Sequence, residues 1–180
     1  WFYLCIQLYR RSIRQDQQGH SENLTRSFRR ISAPGMLLFA VTVTFASFDW
    51  MMSLDAHWFA TIFGAYVFSG LFRSALAMMT LIVMYLRRNG QLTNVITAEH
   101  YHDLGKLMFA FLIFWAYMAF SQYFLYWYAN IPEETIWYKH RWEGGWQAVS
   151  LIIVFGHFVV PFFLMLTRAA KRSPIVLTFL

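Results

Sequence analysis

Charged residues are scarce in this chain of 180 residues, where they make up 13% of the total. A soluble domain usually contains about 25%. Hydrophobic residues make up 58% and aromatic residues 21%, and a domain of this size could not bury so much apolar surface in one soluble core. The composition therefore excludes an ordinary soluble domain, a disordered chain and a collagen, and it predicts a membrane protein.

Cysteine is almost absent as well, since Cys5 is the single one. An intrachain disulfide and a disulfide scaffold are therefore excluded. The sequence also lacks CxxC and CxxCH motifs, a phosphate-binding loop and a zinc-ligand cluster. We expect no metal site, no iron–sulfur cluster and no covalently attached haem in this chain, so any redox centres would belong to other proteins of an assembly.

Long apolar runs recur at the length of membrane-spanning helices, which need about 20 residues. Four complete spans and one partial span at the start are predicted, at about 34–54, 59–86, 104–128, 146–167 and 1–9. Ser32 is the expected N-cap of the first complete span, with Pro34 in its first turn. Both ends of the chain look truncated, with a further apolar stretch beginning at Pro174. The predicted fold is an all-α, polytopic transmembrane helix bundle, a single domain over 1–180 that is a fragment of a longer chain.

The basic residues support this division, because one side of the predicted bundle receives twelve of them and the other side receives Lys139 and Arg141. The twelve are Arg10, Arg11, Arg14, Arg26, Arg29, Arg30, Arg87, Arg88, Lys106, Arg168, Lys171 and Arg172. The positive-inside rule makes their side cytoplasmic. The net charge of +6 therefore reflects membrane topology rather than nucleic-acid binding. We expect an Arg-rich loop from Arg10 to Ser32 on the inner surface, and a short outer helix that begins at Pro132.

Arg73 is the clearest functional candidate, because it lies near the middle of the second span, where a charge is costly. It is either a structural arginine satisfied by another helix, with Asp49 as one candidate partner, or a charge that lines a proton or quinone path. His157 lies at similar depth in the fourth span. Pro161, four residues later, cannot donate to the carbonyl of His157. His157 is therefore either a packing kink or a protonatable group beside a free acceptor.

Asp49, Asp55 and His57 gather at the outer end of the first span, where a carboxylate with an imidazole suits quinol oxidation and proton release. The alternative is an ordinary polar turn. His100, His102 and Asp103 precede the third span and are expected to be solvated on the inner side. Two further candidates, Tyr66 and Tyr117, offer hydroxyl groups inside the spans, either for interhelical hydrogen bonds or for a relay. The predicted proton route runs from Asp49 through His157 to the residues that precede the third span.

Three stretches carry a resemblance to a known family: FDWMMSLDAHWFATIFGAYVFSG, EHYHDLGKLMFAFLIFWAYMAFSQYFLYWYANIPEET and FGHFVVPFFLMLTR. Together they resemble the F subunits of bacterial alternative complex III, which belong to the polysulfide-reductase-type (NrfD-like) membrane family. The resemblance covers most of 31–172. It implies a multi-pass protein of about ten spans in the bacterial cytoplasmic (inner) membrane, and this chain would be its later half, without the first and the last spans.

The resemblance also implies partners and ligands. The partners would be a homologous membrane protein of the same complex, an iron–sulfur protein and cytochromes c, with haem c and the iron–sulfur clusters held by those partners. The chain itself would contact membrane lipid and a quinone, menaquinone among the candidates. The implied role is quinone binding or proton conduction in a quinol:electron-acceptor oxidoreductase of a respiratory or photosynthetic electron-transport chain.

Two other classes of function remain open on the sequence. A secondary transporter would show interrupted helices at matching positions of two halves, whereas Pro161 is the one interruption expected inside a span here. A purely structural scaffold would use Arg73 and His157 as packing devices.

Overall fold

The structure, a computed structural model, describes residues 1–19, 21–93 and 95–179, and in this part of the chain it is helical without β-strands. This confirms the predicted all-α fold. The helices are α1 (Phe2–Gln18), α2 (Glu22–Trp50), α3 (Phe63–Arg88), α4 (Ala98–Ala129), α5 (Pro132–Arg141), α6 (Trp146–Ile152), α7 (Val160–Met165), α8 (Arg168–Arg172) and α9 (Pro174–Phe179). A 3₁₀ turn (Met52–Leu54) follows α2, and a π-helical segment (Ile153–Val159) joins α6 to α7.

Four helical stretches are long and apolar enough to cross a membrane: Glu22–Leu54, Phe63–Arg88, Ala98–Ala129 and Trp146–Met165. Many of their large apolar side chains are exposed on the surface of the protein, among them Leu37, Phe45 and Phe163. A water-soluble helix would turn such side chains inward, whereas lipid is a suitable solvent for them. The chain is therefore a multi-pass membrane protein.

The segment before the first complete span differs from its prediction. The sequence predicts a loop from Arg10 to Ser32, but α1 continues to Gln18 and α2 already begins at Glu22. Pro34 accordingly lies inside α2 and not in its first turn. Arginine and glutamate are good helix formers, and Glu22 pairs with Arg26 one turn later at 2.8 Å. These polar residues thus extend the helix beyond its apolar part.

The chain divides into two compact units, Trp1–Ala46 and Ser47–Leu180. In the first unit, Trp1 packs edge-on against Phe39 with ring centroids 5.8 Å apart. Arg11 Nε donates a hydrogen bond to Ser27 Oγ at 2.8 Å. A basic side chain is thus tied to the neighbouring helix of its own unit.

The second unit is built on α3 and α4, which pack along each other, with α7, α8 and α9 against them. Its core contains Leu76, Tyr101, Met108, Met165 and Leu177, all at most 6% exposed. Because Leu177 comes from the last described helix, the stretch after the fourth span folds back onto the bundle.

Two helices of this unit approach each other closely at Gly105. A Cβ atom added there would lie 3.0 Å from both Cβ and the carbonyl oxygen of Lys171, so the backbone of α8 rests directly on α4. Arg172 next to it forms an ion pair with Glu99 of α4. A side chain at this position would therefore require α8 to shift away by a few tenths of an ångström.

The second unit has two chemically different ends. At the aromatic end, defined by Trp58, Tyr126 and Trp137, the start of α3 meets the end of α4 and the α5 helix. At the basic end, defined by Arg87, Tyr101 and Lys171, Arg87 lies over the ring of Tyr101 and Lys171 over that of Phe109. The spans of this unit alternate in direction between these ends, as the distribution of basic residues predicts.

The short helix expected at Pro132 is confirmed. It runs to Arg141, with proline at its first position, Glu133 and Glu134 in the first turn and Lys139 to Arg141 in the last. This charge order matches the helix dipole.

We predict that the aromatic end faces the outside of the cell. Because Cys5 is the single native cysteine, a Cys5→Ser background can carry one new cysteine at either of two exposed loop positions, Glu143 or Gln91. In intact cells, a membrane-impermeant maleimide should label Glu143→Cys and leave Gln91→Cys unlabelled. Both should react after permeabilisation, and the reverse pattern in intact cells would contradict the orientation.

We also predict that Gly105→Ala destabilises the protein by about 1–3 kcal/mol, the range typical of overpacking. The added methyl group would press on the backbone of Lys171. Gly35→Ala is the matched control, because no atom lies within 4 Å of its Cβ position. Thermal unfolding in detergent should separate the two variants, and equal melting temperatures would show that the crossing at Gly105 tolerates a side chain.

Candidate functional site

Arg73 and His157 meet between the second and fourth spans. Arg73 is 4% exposed. Its Nη1 lies 2.9 Å from Nε2 and 3.1 Å from Nδ1 of His157, and it donates a hydrogen bond to the His157 carbonyl at 3.0 Å. The prediction that a group on another helix hydrogen-bonds Arg73 is confirmed. The suggested partner Asp49 is wrong, since no ion pair joins the two within the described residues.

The backbone around His157 explains why its carbonyl is available. Pro161 has no N–H to donate to it, and the helix responds with the π-helical segment, in which Val160 N–H reaches back to the carbonyl of Phe155. The free acceptor predicted from Pro161 is therefore present, and Arg73 uses it. Pro161 thus leaves free the carbonyl group to which Arg73, on another span, donates.

The contact between the two side chains constrains the imidazole. A guanidinium only donates, so the ring must offer an unprotonated nitrogen, and a neutral imidazole has one such nitrogen. Protonating the second nitrogen would remove that acceptor and place two cations about 3 Å apart. Proton uptake by His157 would therefore require the Arg73 contact to break.

Two aromatic side chains extend the pair towards the aromatic end. Trp115 of α4 lies edge-on to His157, with centroids 4.5 Å apart, and Tyr66 of α3 lies 5.6 Å from Trp115. The indole packs over Gly70, and its Cδ1 is 3.6 Å from where a Cβ atom would be, an ordinary packing distance. Tyr66 is therefore part of the site. Sequence reasoning does not single out Trp115, because an apolar span contains many aromatic residues.

The aromatic end is held by an interlocked group of rings. Trp58 stacks on Trp137 with centroids 4.7 Å apart, and the guanidinium of Arg141 lies 3.3 Å from the Trp137 centroid. Arg141 also donates to the Trp137 carbonyl at 2.8 Å, and the Tyr126 hydroxyl donates to the carbonyl of Phe59 at 3.1 Å. These contacts fix α5 over the end of the bundle.

A cavity of about 380 Å³ opens between these rings and the turn after α2. Its lining combines one carboxylate, one guanidinium and apolar side chains, namely Met51, Met52, Leu54, Asp55, Trp58, Phe63, Trp137 and Arg141. The candidate Asp55 thus lies in a cavity. From the sequence, Arg141 is only one of two outer basic residues, and its position four residues after Trp137 on a helix is the signal that could have identified it.

Electrostatic effects connect this cavity to Tyr66. Burial raises the pKa of Tyr138, and the neighbouring hydroxyls of Tyr126 and Tyr66 add to the effect. Burial lowers the pKa of Arg141, while the charge of Asp55 and the hydroxyls of Tyr138 and Tyr66 act in the opposite direction. Tyr66 therefore packs against Trp115 next to the Arg73–His157 pair and also acts electrostatically on Arg141 and Tyr138.

The other outer candidates are less enclosed. Asp49 is exposed near the end of α2, where its carbonyl accepts the hydroxyl of Ser53. His57 is exposed in the turn before α3. The cavity lining includes neither residue, so the structure joins Asp55 to the site and leaves these two on its periphery.

The inner candidates lie at the basic end, away from the pair. His100 Nδ1 accepts the Thr97 N–H at 3.2 Å and lies 2.9 Å from the Thr97 hydroxyl, so this histidine serves as part of a helix cap. Asp103 pairs with Lys106 at 2.7 Å, and His102 is half-buried beside them. Tyr117 is exposed on the face of α4 opposite to Trp115, so its hydroxyl is outside the site.

Within the described ranges, no three His, Cys, Asp or Glu side chains come close enough to share a metal ion. The site offers instead one imidazole, one carboxylate, two guanidinium groups and several hydroxyls between an end cavity and the middle of the bundle. These are groups for proton transfer and for binding a polar ring. The protein is thus a helical membrane bundle with a buried ionisable centre.

Comparison of the sequence with models of known protein families and with curated proteins finds no match.

Proposed function

We propose that this chain is a membrane component of a bacterial quinol:electron-acceptor oxidoreductase of the alternative complex III type, in which it exchanges protons with the outer side of the cytoplasmic membrane. The observation that carries the proposal is the contact of Arg73 with the ring and the carbonyl of His157 inside the bundle. The three sequence stretches that resemble the F subunits direct the proposal to quinol oxidation.

A packing role alone does not account well for this contact. Replacing buried polar pairs by apolar residues of similar volume is often neutral or stabilising, so a bundle gains little stability from such a pair. An imidazole can bind and release a proton, which an apolar side chain of similar volume cannot do. Proton uptake breaks the contact with Arg73. His157 therefore has the two states that a proton carrier needs, a neutral state bound to Arg73 and a protonated state released from it.

The side chains around the Arg73–His157 pair favour proton exchange with the aromatic end. Tyr66 and Trp115 lie on that side of the pair, and the cavity with Asp55 and Arg141 lies beyond them. Towards the basic end the buried side chains are apolar, including Leu76 and Met108, and the hydroxyl of Thr80 already donates to the Leu76 carbonyl. The proposed route thus covers the outer half of the bundle, and it replaces the longer route from Asp49 to the inner histidines.

Electrons follow a different path in this proposal. The chain's own residues bind, orient and move protons, while an iron–sulfur protein and cytochromes c would accept the electrons. Quinol oxidation releases protons together with electrons, so a membrane protein with a proton route beside an outer cavity fits such a complex.

The first test is a pair of His157 variants in the assembled complex. His157→Gln keeps a polar contact for Arg73 but cannot titrate, and His157→Phe removes both properties. Each should lower quinol oxidation or proton release by about 10²-fold, the lower range for loss of a positioned acid–base group. The measurement combines acceptor reduction with proton release from reconstituted vesicles.

His140→Phe is the matched control, because His140 is exposed on α5 and outside the Arg73 contact. Unchanged turnover and unchanged proton release in assembled His157→Gln would contradict the proposal and leave a structural role for the pair. The amount of assembled complex, measured in parallel, separates a folding defect from a chemical one.

A second role, quinol binding by the same chain, is favoured by the end cavity. Its size suits a small ring system, since ligand pockets typically measure about 300–1,000 Å³, and Asp55 and Arg141 offer an acceptor and donors beside stacked indoles. The head group of a quinol has two hydroxyls on a flat ring and could use both. The quinol tail would then extend along the apolar faces of the spans.

For this role we predict that Arg141→Gln raises the KM for quinol several-fold with a smaller change in kcat, because it removes a ground-state contact. Lys139→Gln, an exposed residue of the same helix, should leave the KM unchanged. Steady-state kinetics of the assembled complex with a soluble quinol provides the measurement. An unchanged KM in Arg141→Gln would rule out the cavity as the quinol site without affecting the His157 proposal.

A further inference from the structure

The basic end carries more positive charge than the protein itself neutralises. Six cations lie at the ends of α3, α4 and α8, namely Arg87, Arg88, Lys106, Arg168, Lys171 and Arg172. The acidic residues there are Glu99 and Asp103, and each is already in an ion pair, with Arg172 and Lys106 respectively. Four positive charges are thus left without an ion-pair partner among the described residues.

Part of this charge converges on one face of α4. Glu99, His102, Gly105 and Phe109 follow each other at helical spacing, so they share a face. That face is the one that contacts α8, because Arg172 pairs with Glu99, Lys171 lies against Gly105, and the Lys171 ammonium lies 4.5 Å from the Phe109 ring centroid. His102 therefore lies at the crossing of α4 and α8.

The charges of Lys106, Arg168 and Lys171 act on the ring of His102, and the charge of Asp103 acts on it in the opposite direction. Two polar atoms at this crossing also have no hydrogen-bond partner within the described residues, Nδ1 of His102 and Nε of Arg172. Buried polar atoms in native proteins are nearly always hydrogen-bonded. Concentrated positive charge together with unused hydrogen-bonding groups indicates an anion that binds there.

The surroundings of the cluster identify the source of that anion. Leu107 follows Lys106 and is 47% exposed, and Leu166 precedes Arg168 and is 49% exposed. Exposed apolar side chains are thus the sequence neighbours of two of the cations. A molecule with an anionic head and apolar chains matches both parts, and basic pockets between membrane helices are known to hold phosphate head groups of lipids.

We propose that the crossing of α4 and α8 binds the phosphate of an anionic phospholipid through Arg168 and Lys171, which have no ion-pair partner among the described residues. The head group completes the charge balance of this end, and the acyl chains lie along α4 and α7. The site is independent of the Arg73–His157 pair, and it would hold for any function of the protein.

The test uses the purified protein in detergent, native mass spectrometry and two lipids with identical acyl chains, phosphatidylglycerol and phosphatidylcholine. The double variant Arg168→Gln/Lys171→Gln should weaken phosphatidylglycerol binding by about tenfold or more, because each basic group contributes substantially to binding an anionic lipid. Arg29→Gln/Arg30→Gln in α2 removes the same charge at exposed positions and is the matched control. Binding by the unchanged protein should also weaken as salt is added.

Several results would contradict the proposal. Equal phosphatidylglycerol affinity in the double variant and the control would overturn it, and so would equal binding of phosphatidylcholine by the unchanged protein. Full displacement of the lipid by inorganic phosphate would show a site for a free anion instead. Unchanged lipid affinity together with loss of a co-purifying protein would assign the cluster to an acidic protein partner.

If the double variant does not fold, the single variant Arg168→Gln decides the question, because this side chain is exposed at the start of α8. Its lipid affinity should fall, and Arg168→Lys should restore it. An affinity that stays unchanged in Arg168→Gln would overturn the proposal.

Discussion

The need to satisfy one guanidinium inside an apolar bundle governs the centre of this protein. Arg73 cannot lose its charge, and lipid offers it no hydrogen bonds. The neighbouring span meets this need with a ring nitrogen and a backbone carbonyl of one residue, His157. The carbonyl is free because of Pro161, and the indole of Trp115 covers the ring. Three spans are therefore positioned by the requirements of a single side chain.

Much of this arrangement could be predicted from the sequence, because the membrane restricts the secondary structure, length and direction of each spanning segment. Apolar runs of the right length indicate helices, and the basic residues between them indicate alternating directions. Arg73 and His157 are recognisable as candidates from their depth, and Pro161 from the acceptor that it leaves free. Their direct contact was not predictable, because residue depth along two helices does not determine their rotation about the helix axes.

The incorrect predictions have common physical causes. The loop expected from Arg10 to Ser32 is helical, since an apolar pattern marks where a helix enters lipid and not where the helix begins. The pairing of Asp49 with Arg73 rests on charge alone, and the structure leaves Asp49 exposed at the end of α2. The contact of Trp137 with Arg141 depends on a short helix that lies over the bundle. Side chains whose positions depend on tertiary packing are those that periodicity cannot locate.

The π-helical segment at Ile153–Val159 has a consequence for the register of the fourth span. A regular helix turns by about 100° with each residue, and a π-turn accommodates one extra residue within the same rise. The stripe of residues that α7 presents to its neighbours is therefore rotated by about that angle relative to the stripe of α6. Removing a single residue from this segment would rotate α6 relative to α7 by about the same angle, while the composition and length of the span would stay almost unchanged. The phase of this helix, rather than its hydrophobicity, is thus what the bundle requires of it.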